Sequence, residues 1–227
     1  MEAAGYLGGE RGGPRPPREA DVAPAPASTD RVFWAPADPA SLGLAGFALT
    51  TFILGLVNTT VISKADVYIV LSVAGAYGGL VQLLAGMWAF AERNLFAATA
   101  FASYGGFWIS FVLLIQFLAP ETAKAGALPL NHGLALYLFC WGFFTLYMWF
   151  ASFRVNVAVN LVFLTLWVAY LLLGIGMLGA GHPTITKIGG WVTVACAVIA
   201  WYTSAAIVIN GTLKRVVLPV IPLAQPA

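Results

Sequence analysis

Six stretches of the chain stay apolar for about 20 residues or more: roughly 41–62, 66–91, 95–119, 131–152, 155–180 and 187–211. A helix needs about 20 apolar residues to cross the ~30 Å hydrocarbon core of a bilayer. Each stretch therefore predicts one transmembrane helix. The alternating ten-residue segments of a membrane β-barrel are not seen in the pattern. The expected fold class is all-α: a polytopic membrane protein of six transmembrane helices.

Charge sharpens this reading. All eleven Lys/Arg and all nine Asp/Glu fall in the tails or the short connections. A charge at a helix centre costs about 2.5–3.5 kcal/mol on insertion scales, so this partition is what a membrane domain requires. The composition agrees: 60% of the residues are hydrophobic and 9% charged, against about 25% charged in soluble domains. Three regions follow. Residues 1–36, rich in Pro, Gly and charge, are expected to form a disordered cytoplasmic tail with no apolar stretch of a targeting signal. Residues 37–213 are the six-helix membrane domain. Residues 214–227 are a short C-terminal tail.

The distribution of positive charge predicts orientation. Arg11, Arg15, Arg18, Arg31, Arg93, Arg154, Lys214 and Arg215 share one side, and only Lys64, Lys124 and Lys187 the other. Eight against three places both termini in the cytoplasm, as an even number of helices demands. The net charge of +2 thus speaks of topology and not of nucleic acid. Motifs for chemistry are missing. The sequence holds no nucleotide-binding loop, no HExxH and no nucleophile elbow, and it has two cysteines and two histidines. Cys140 and Cys196 read as buried small residues, and His132 and His182 lie in outer connections. No cofactor, metal or enzymatic activity is expected.

Within the helices, small and neutral polar residues recur at helical spacing. The first helix aligns Phe47, Thr51, Leu54 and Asn58, with Thr50 beside them. The second aligns Ser72, Gly75, Gly79, Gln82 and Gly86. The third aligns Thr99, Ser103, Gly106 and Ser110. Trp141 and Thr145 mark the fourth helix, and Asn156, Asn160 and Trp167 the fifth. Thr193, Cys196, Thr203 and Asn210 mark the sixth. Small residues let membrane helices approach closely, which accounts for the glycines. The amides have two readings, helix packing or the lining of a water-filled path, because an unpaired amide in hydrocarbon is costly. A path so lined carries no charge, so it lacks the carboxylates of a usual proton relay. By itself this chemistry reaches a channel or facilitator for a small polar solute.

The segment ADPASLGLAGFALTTFILGLVNT (37–59) resembles the signature of the acetate uptake transporter family, to which succinate–acetate permeases belong. Pro39, Ala40, Leu42, Gly43, Leu44, Gly46, Phe47, Thr50 and Thr51 carry the match. The likeness continues in order through YGGLVQLLAGMW (77–88), TAFASYGGFW (99–108), WGFFTLYM (141–148), GGWVTVACA (189–197) and RVVLPV (215–220). The resemblance implies a homohexamer in the inner (plasma) membrane with one pathway per protomer. It implies transport of acetate, and in some members succinate, by proton symport or channel-like flux. It also implies a constriction of three residues, here Phe47, Tyr104 and Leu166. Thr50, Thr51, Asn58, Gln82, Ser103, Trp141, Thr145 and Asn160 are the polar pore candidates. Two positions depart from the signature: Asp38 replaces its Asn and Ser41 its second Pro. Ammonia or ammonium export is the nearest rival reading.

Overall fold

The structure, a computed structural model, describes residues 36–223. The N-terminal tail expected over 1–36 lies almost wholly outside them. Six helices are long and apolar enough to span a membrane: α1 (Ala40–Thr59), α2 (Val67–Ala91), α3 (Leu95–Ala123), α4 (Ala127–Ser152), α5 (Val157–Met177) and α6 (Pro183–Leu213). Each matches one apolar stretch. The largest differences are on one face, where α3, α4 and α6 run beyond the apolar stretches, α3 carrying the exposed Glu121. Helix length there follows backbone hydrogen bonding and not hydropathy.

Local chemistry fixes the ends. Asn94 caps α3, its side chain accepting the Ala97 N–H at 3.0 Å. Asn156 caps α5 through the Val159 N–H at 2.8 Å. The amide of Asn156 is therefore spent on a helix end, which resolves one of the two-way readings above in favour of structure. Asp38 accepts the Ala40 N–H at 2.8 Å, so the acidic replacement still holds the start of α1. Pro183 opens α6, a position where its missing N–H is not needed.

The spans alternate in direction. The connections after α2 and α4 share a face with the two ends of the described chain, here the terminal face. The other three connections form the far face. Around the bundle the packing order is α4, α5, α6, α1, α2, α3, and α3 returns to α4 with the slightest contact of any neighbouring pair. Close approach is set by glycine. At the α2–α3 crossing, a Cβ on Gly86 would run into the Ala102 backbone, and one on Gly105 would stand 2.7 Å from Leu83 N. At the α1–α6 crossing, a Cβ on Gly190 would stand 2.7 Å from Thr59 N. Gly106 differs from its neighbour: it is exposed, and a Cβ there would meet nothing within 4 Å. It takes no part in helix approach, although it stands on the stripe of small residues.

Two helices contain π turns, at Ala74–Val81 in α2 and Leu114–Leu118 in α3. Past α6 the chain folds back. Asn210 accepts the N–H groups of Val217 and Leu218 and donates to the Leu218 carbonyl. The Tyr202 hydroxyl donates to the Pro219 carbonyl at 2.7 Å. The Val157 N–H then donates to the Ile221 carbonyl at 2.9 Å, and the Ala158 N–H to that of Val220 at 3.4 Å. The end segment thus closes over the first turn of α5.

Candidate functional site

A cavity of about 190 Å³ opens among the six helices, α2 contributing only Val67 at its far-face end. Its lining stops at one level on each helix. Toward the terminal face the last lining residue is Phe47 on α1, Phe107 on α3, Leu138 on α4 and Leu166 on α5. Toward the far face it reaches Asn58, Ile115, Leu134 and Met177. The cavity is therefore a vestibule on the far-face side whose floor is formed by Phe47 and Leu166.

Tyr104 closes the floor one turn below Phe107. Phe47, Tyr104 and Leu166 are 4%, 3% and 5% exposed and belong to one buried cluster. They stand seven, nine and nine residues inside their helices, or about 10–14 Å at ~1.5 Å per residue. That common depth lies near the middle of a ~30 Å hydrocarbon core. The rings of Phe47 and Tyr104 are 5.8 Å apart. Tyr104 also meets Phe144 edge-on at 5.3 Å and Trp141 at 6.2 Å. Its hydroxyl shares a hydrogen bond of 2.9 Å with Thr145 Oγ1, and the Thr145 hydroxyl also reaches the Trp141 carbonyl at 2.8 Å. Because the α3 and α4 backbones stand apart, these side chains, with Phe107 stacked on Tyr137 at 5.7 Å, fill the gap. Ser110 and Tyr137 add a bond of 2.7 Å across it.

The polar candidates divide. Thr51 and Asn58 line the cavity. Thr50, Gln82 and Thr145 are buried just outside it, with Thr50 donating to the Gly46 carbonyl at 3.0 Å. Trp141 packs against Tyr104 without lining the cavity, and Ser103, beside Tyr104, does not line it either. Asn160 is placed elsewhere, toward the terminal face. Its amide donates to Ser152 Oγ at 2.8 Å and accepts from Trp149 Nε1 at 3.4 Å, beside Trp149 and Trp167 stacked at 5.9 Å.

Sequence reasoning passed over Phe107 and Trp108 as lining residues, whereas Thr193, on the stripe of the sixth helix, and Tyr170, which continues that of Trp167, stand on polar stripes and do line the cavity. Trp108 reads from sequence as a packing residue, yet its indole N–H has no partner among the described residues. The signal for Phe107 and Trp108 was present. Stepping three or four residues from Tyr104 gives Phe107 and Trp108, and four from Leu166 gives Tyr170, the same helix face continued.

At the terminal face, Asp38 and Glu92 lie close enough to interact. Burial first, and then the Asp38 charge, hold the Glu92 carboxyl above the usual carboxylate range. Among the described residues, no charged side chain lines the cavity, and no group of three or more metal-binding side chains exists. What this arrangement can do is admit a small solute from the far face to an aromatic, uncharged floor.

Known proteins share this architecture. The chain is 40% identical over 195 residues to acetate permease A of Emericella nidulans, covering 81% of this chain and 65% of that protein. It thus spans just under two thirds of that fungal relative. Over 184 residues it is 37% identical to the succinate-acetate/proton symporter SatP of Escherichia coli, covering 81% of this chain and 95% of that one. The solved structure of the bacterial acetate channel SatP matches with a TM-score of 0.72 at 35% identity, over 82% of this chain and 99% of that one. A family model also matches from residue 23 to residue 225, taking in all six spans, and the chain belongs to the GPR1/FUN34/yaaH family.

Proposed function

We propose that this integral membrane protein is a transmembrane pathway for acetate and small carboxylates such as succinate, and not an enzyme. The observation that carries the reading is the uncharged vestibule ending at Phe47, Tyr104 and Leu166. Its apolar walls suit a methyl group, and its few neutral donors suit a carboxyl group. The names of the relatives, an acetate permease and a succinate-acetate/proton symporter, point the same way. The working form is a homohexamer in the inner (plasma) membrane, each protomer holding its own path. Both termini face the cytoplasm, in keeping with Arg93, Arg154, Lys214 and Arg215 on the terminal face against Lys124 and Lys187 on the far face.

The test is labelled acetate uptake into proteoliposomes with and without an imposed proton gradient. Uptake above the protein-free leak supports the proposal. Accumulation driven by the gradient identifies symport, and simple equilibration identifies a channel. Uptake of labelled methylamine in place of acetate would overturn the proposal in favour of ammonia or ammonium.

A further inference from the structure

Three buried side-chain atoms among the described residues have no hydrogen-bond partner: Thr51 Oγ1, Gln82 Oε1 and Trp108 Nε1. They come from three helices, Thr51 and Trp108 at the cavity wall and Gln82 close to the level of its floor. At the α1–α2 crossing, a Cβ on Gly78 would stand 2.5 Å from Thr50 Oγ1 and 3.0 Å from Trp108 Cδ1, the carbon bonded to Nε1. The indole edge is thus level with Thr50 and Thr51, and both Thr51 and Trp108 line the cavity. One turn nearer the terminal face, a Cβ on Gly46 would stand 3.8 Å from Gln82 Cβ. Gln82 therefore sits level with Phe47, just past the cavity floor.

Other buried threonines show what Thr51 forgoes. Thr50, Thr145, Thr193 and Thr203 each donate to a carbonyl of their own helix. Burying a donor or acceptor unpaired is costly, so three in succession along one path point to a guest that pairs them. The set has a definite pattern. Thr51 and Trp108 offer an O–H and an N–H on the cavity side, and Gln82 offers an acceptor beyond. A carboxylate only accepts, and it would bring its charge to the Gln82 oxygen with no cation among the lining residues. An undissociated acid has both a carbonyl that accepts and a hydroxyl that donates.

We infer that the constriction passes its substrate as the undissociated carboxylic acid, the carbonyl held by Thr51 and Trp108 and the hydroxyl donating to Gln82. The proton then crosses on the substrate, and no protein group needs to carry it. This inference rests on the proposed carboxylate transport. No bond is made or broken beyond protonation of the carboxylate in water on one side and loss of that proton from the acid in water on the other.

The experiment measures leak-corrected uptake of labelled acetate and labelled acetamide by the wild-type protein in proteoliposomes. Acetamide has the shape of acetic acid, carries both a donor and an acceptor, and stays uncharged. Between about pH 5 and pH 8, acetate flux falls by about tenfold per pH unit as the acid ionises, while acetamide passes at a rate independent of pH. Gln82→Leu lowers both fluxes by about tenfold or more, as expected for one lost buried hydrogen bond. Should that variant fail to fold, the wild-type comparison still decides. A pH-independent acetate flux, or exclusion of acetamide, overturns the inference while leaving carboxylate transport established. Absence of any acetate flux removes both.

Discussion

Two seams of the bundle are built on opposite plans. Between α2 and α3 the backbones touch, with Gly86 against Ala102 and Gly105 against Leu83 and Gly79. Between α3 and α4 the backbones barely meet, and the space is filled by Tyr104, Phe107, Tyr137, Trp141 and Phe144. The first seam is fixed by what is missing, a Cβ atom. It has one solution, because backbone cannot yield. The second is fixed by large side chains that turn about their own bonds, joined by two side-chain hydrogen bonds. A path that must open and close is better placed beside the second kind, and that is where the cavity lies.

The sharpest way to break the contrast is to add side chains at glycines. Gly86→Leu drives a side chain into the Ala102 backbone and should eliminate folded protein, whereas Gly106→Leu meets open space and should shift stability by no more than about 0.5 kcal/mol. Size-exclusion profiles and melting curves in detergent distinguish the two. A Gly86→Leu protein that folds normally would refute the close-packed account of that seam.

Asn160→Ala comes next. It leaves the Trp149 indole N–H without its partner, while the Ser152 hydroxyl keeps its bond to the Trp149 carbonyl at 2.6 Å, and should cost about 1–3 kcal/mol, read by thermal melting. Acetate flux per folded protein should stay within about twofold, because Asn160 lies outside the cavity. Tyr104→Phe removes a single hydroxyl from the aromatic seam. Thr145 keeps its bond to the Trp141 carbonyl, so the expected cost is about 0.5–1.5 kcal/mol. The freed ring should raise leak-corrected acetate flux by about twofold. A fall in flux would show that the hydroxyl serves the path itself.

The smallest effect is at the terminal face. Asp38→Asn keeps the bond to the Ala40 N–H and removes the charge facing Glu92. The Glu92 carboxyl, held up by burial and by Asp38, should then ionise at lower pH. A carboxyl raised in the folded state favours folding at low pH, and that benefit is lost as pH rises above its unfolded value. The substitution should therefore flatten the decline of stability on the alkaline side of the carboxylate range, seen in melts from about pH 4 to pH 8. Acetate flux should stay within about twofold, because Asp38 lies outside the cavity lining and the undissociated acid does not respond to its charge.

Much of this was legible in the sequence, for reasons that differ by residue. The six spans were readable because bilayer thickness sets a length that apolar runs must meet. Their ends were not, since α3, α4 and α6 extend past the apolar limit into water. Phe47 and Leu166 both line the cavity at its inner end, and the Tyr104 ring packs beside Phe47. The amides were the ambiguous class. Asn58 lines the cavity, but Asn156 caps a helix, Asn160 ties α5 to α4, and Asn210 holds the end segment. Spacing puts all four on helix stripes and cannot tell which hydrogen bonds each will make. Trp108 was the reverse case: an apolar outline in sequence, and an unpaired N–H at the cavity once folded.

The returning end segment has a consequence for the order in which the molecule is made. The first N–H groups of α5, at Val157 and Ala158, receive their carbonyls from Ile221 and Val220, more than sixty residues later in synthesis. Until those residues leave the ribosome, α5 enters the membrane with its leading turn held by Asn156 alone. The helix that carries Leu166 is thus among the last to be secured, and the cavity it lines acquires its final dimensions only when translation has nearly finished.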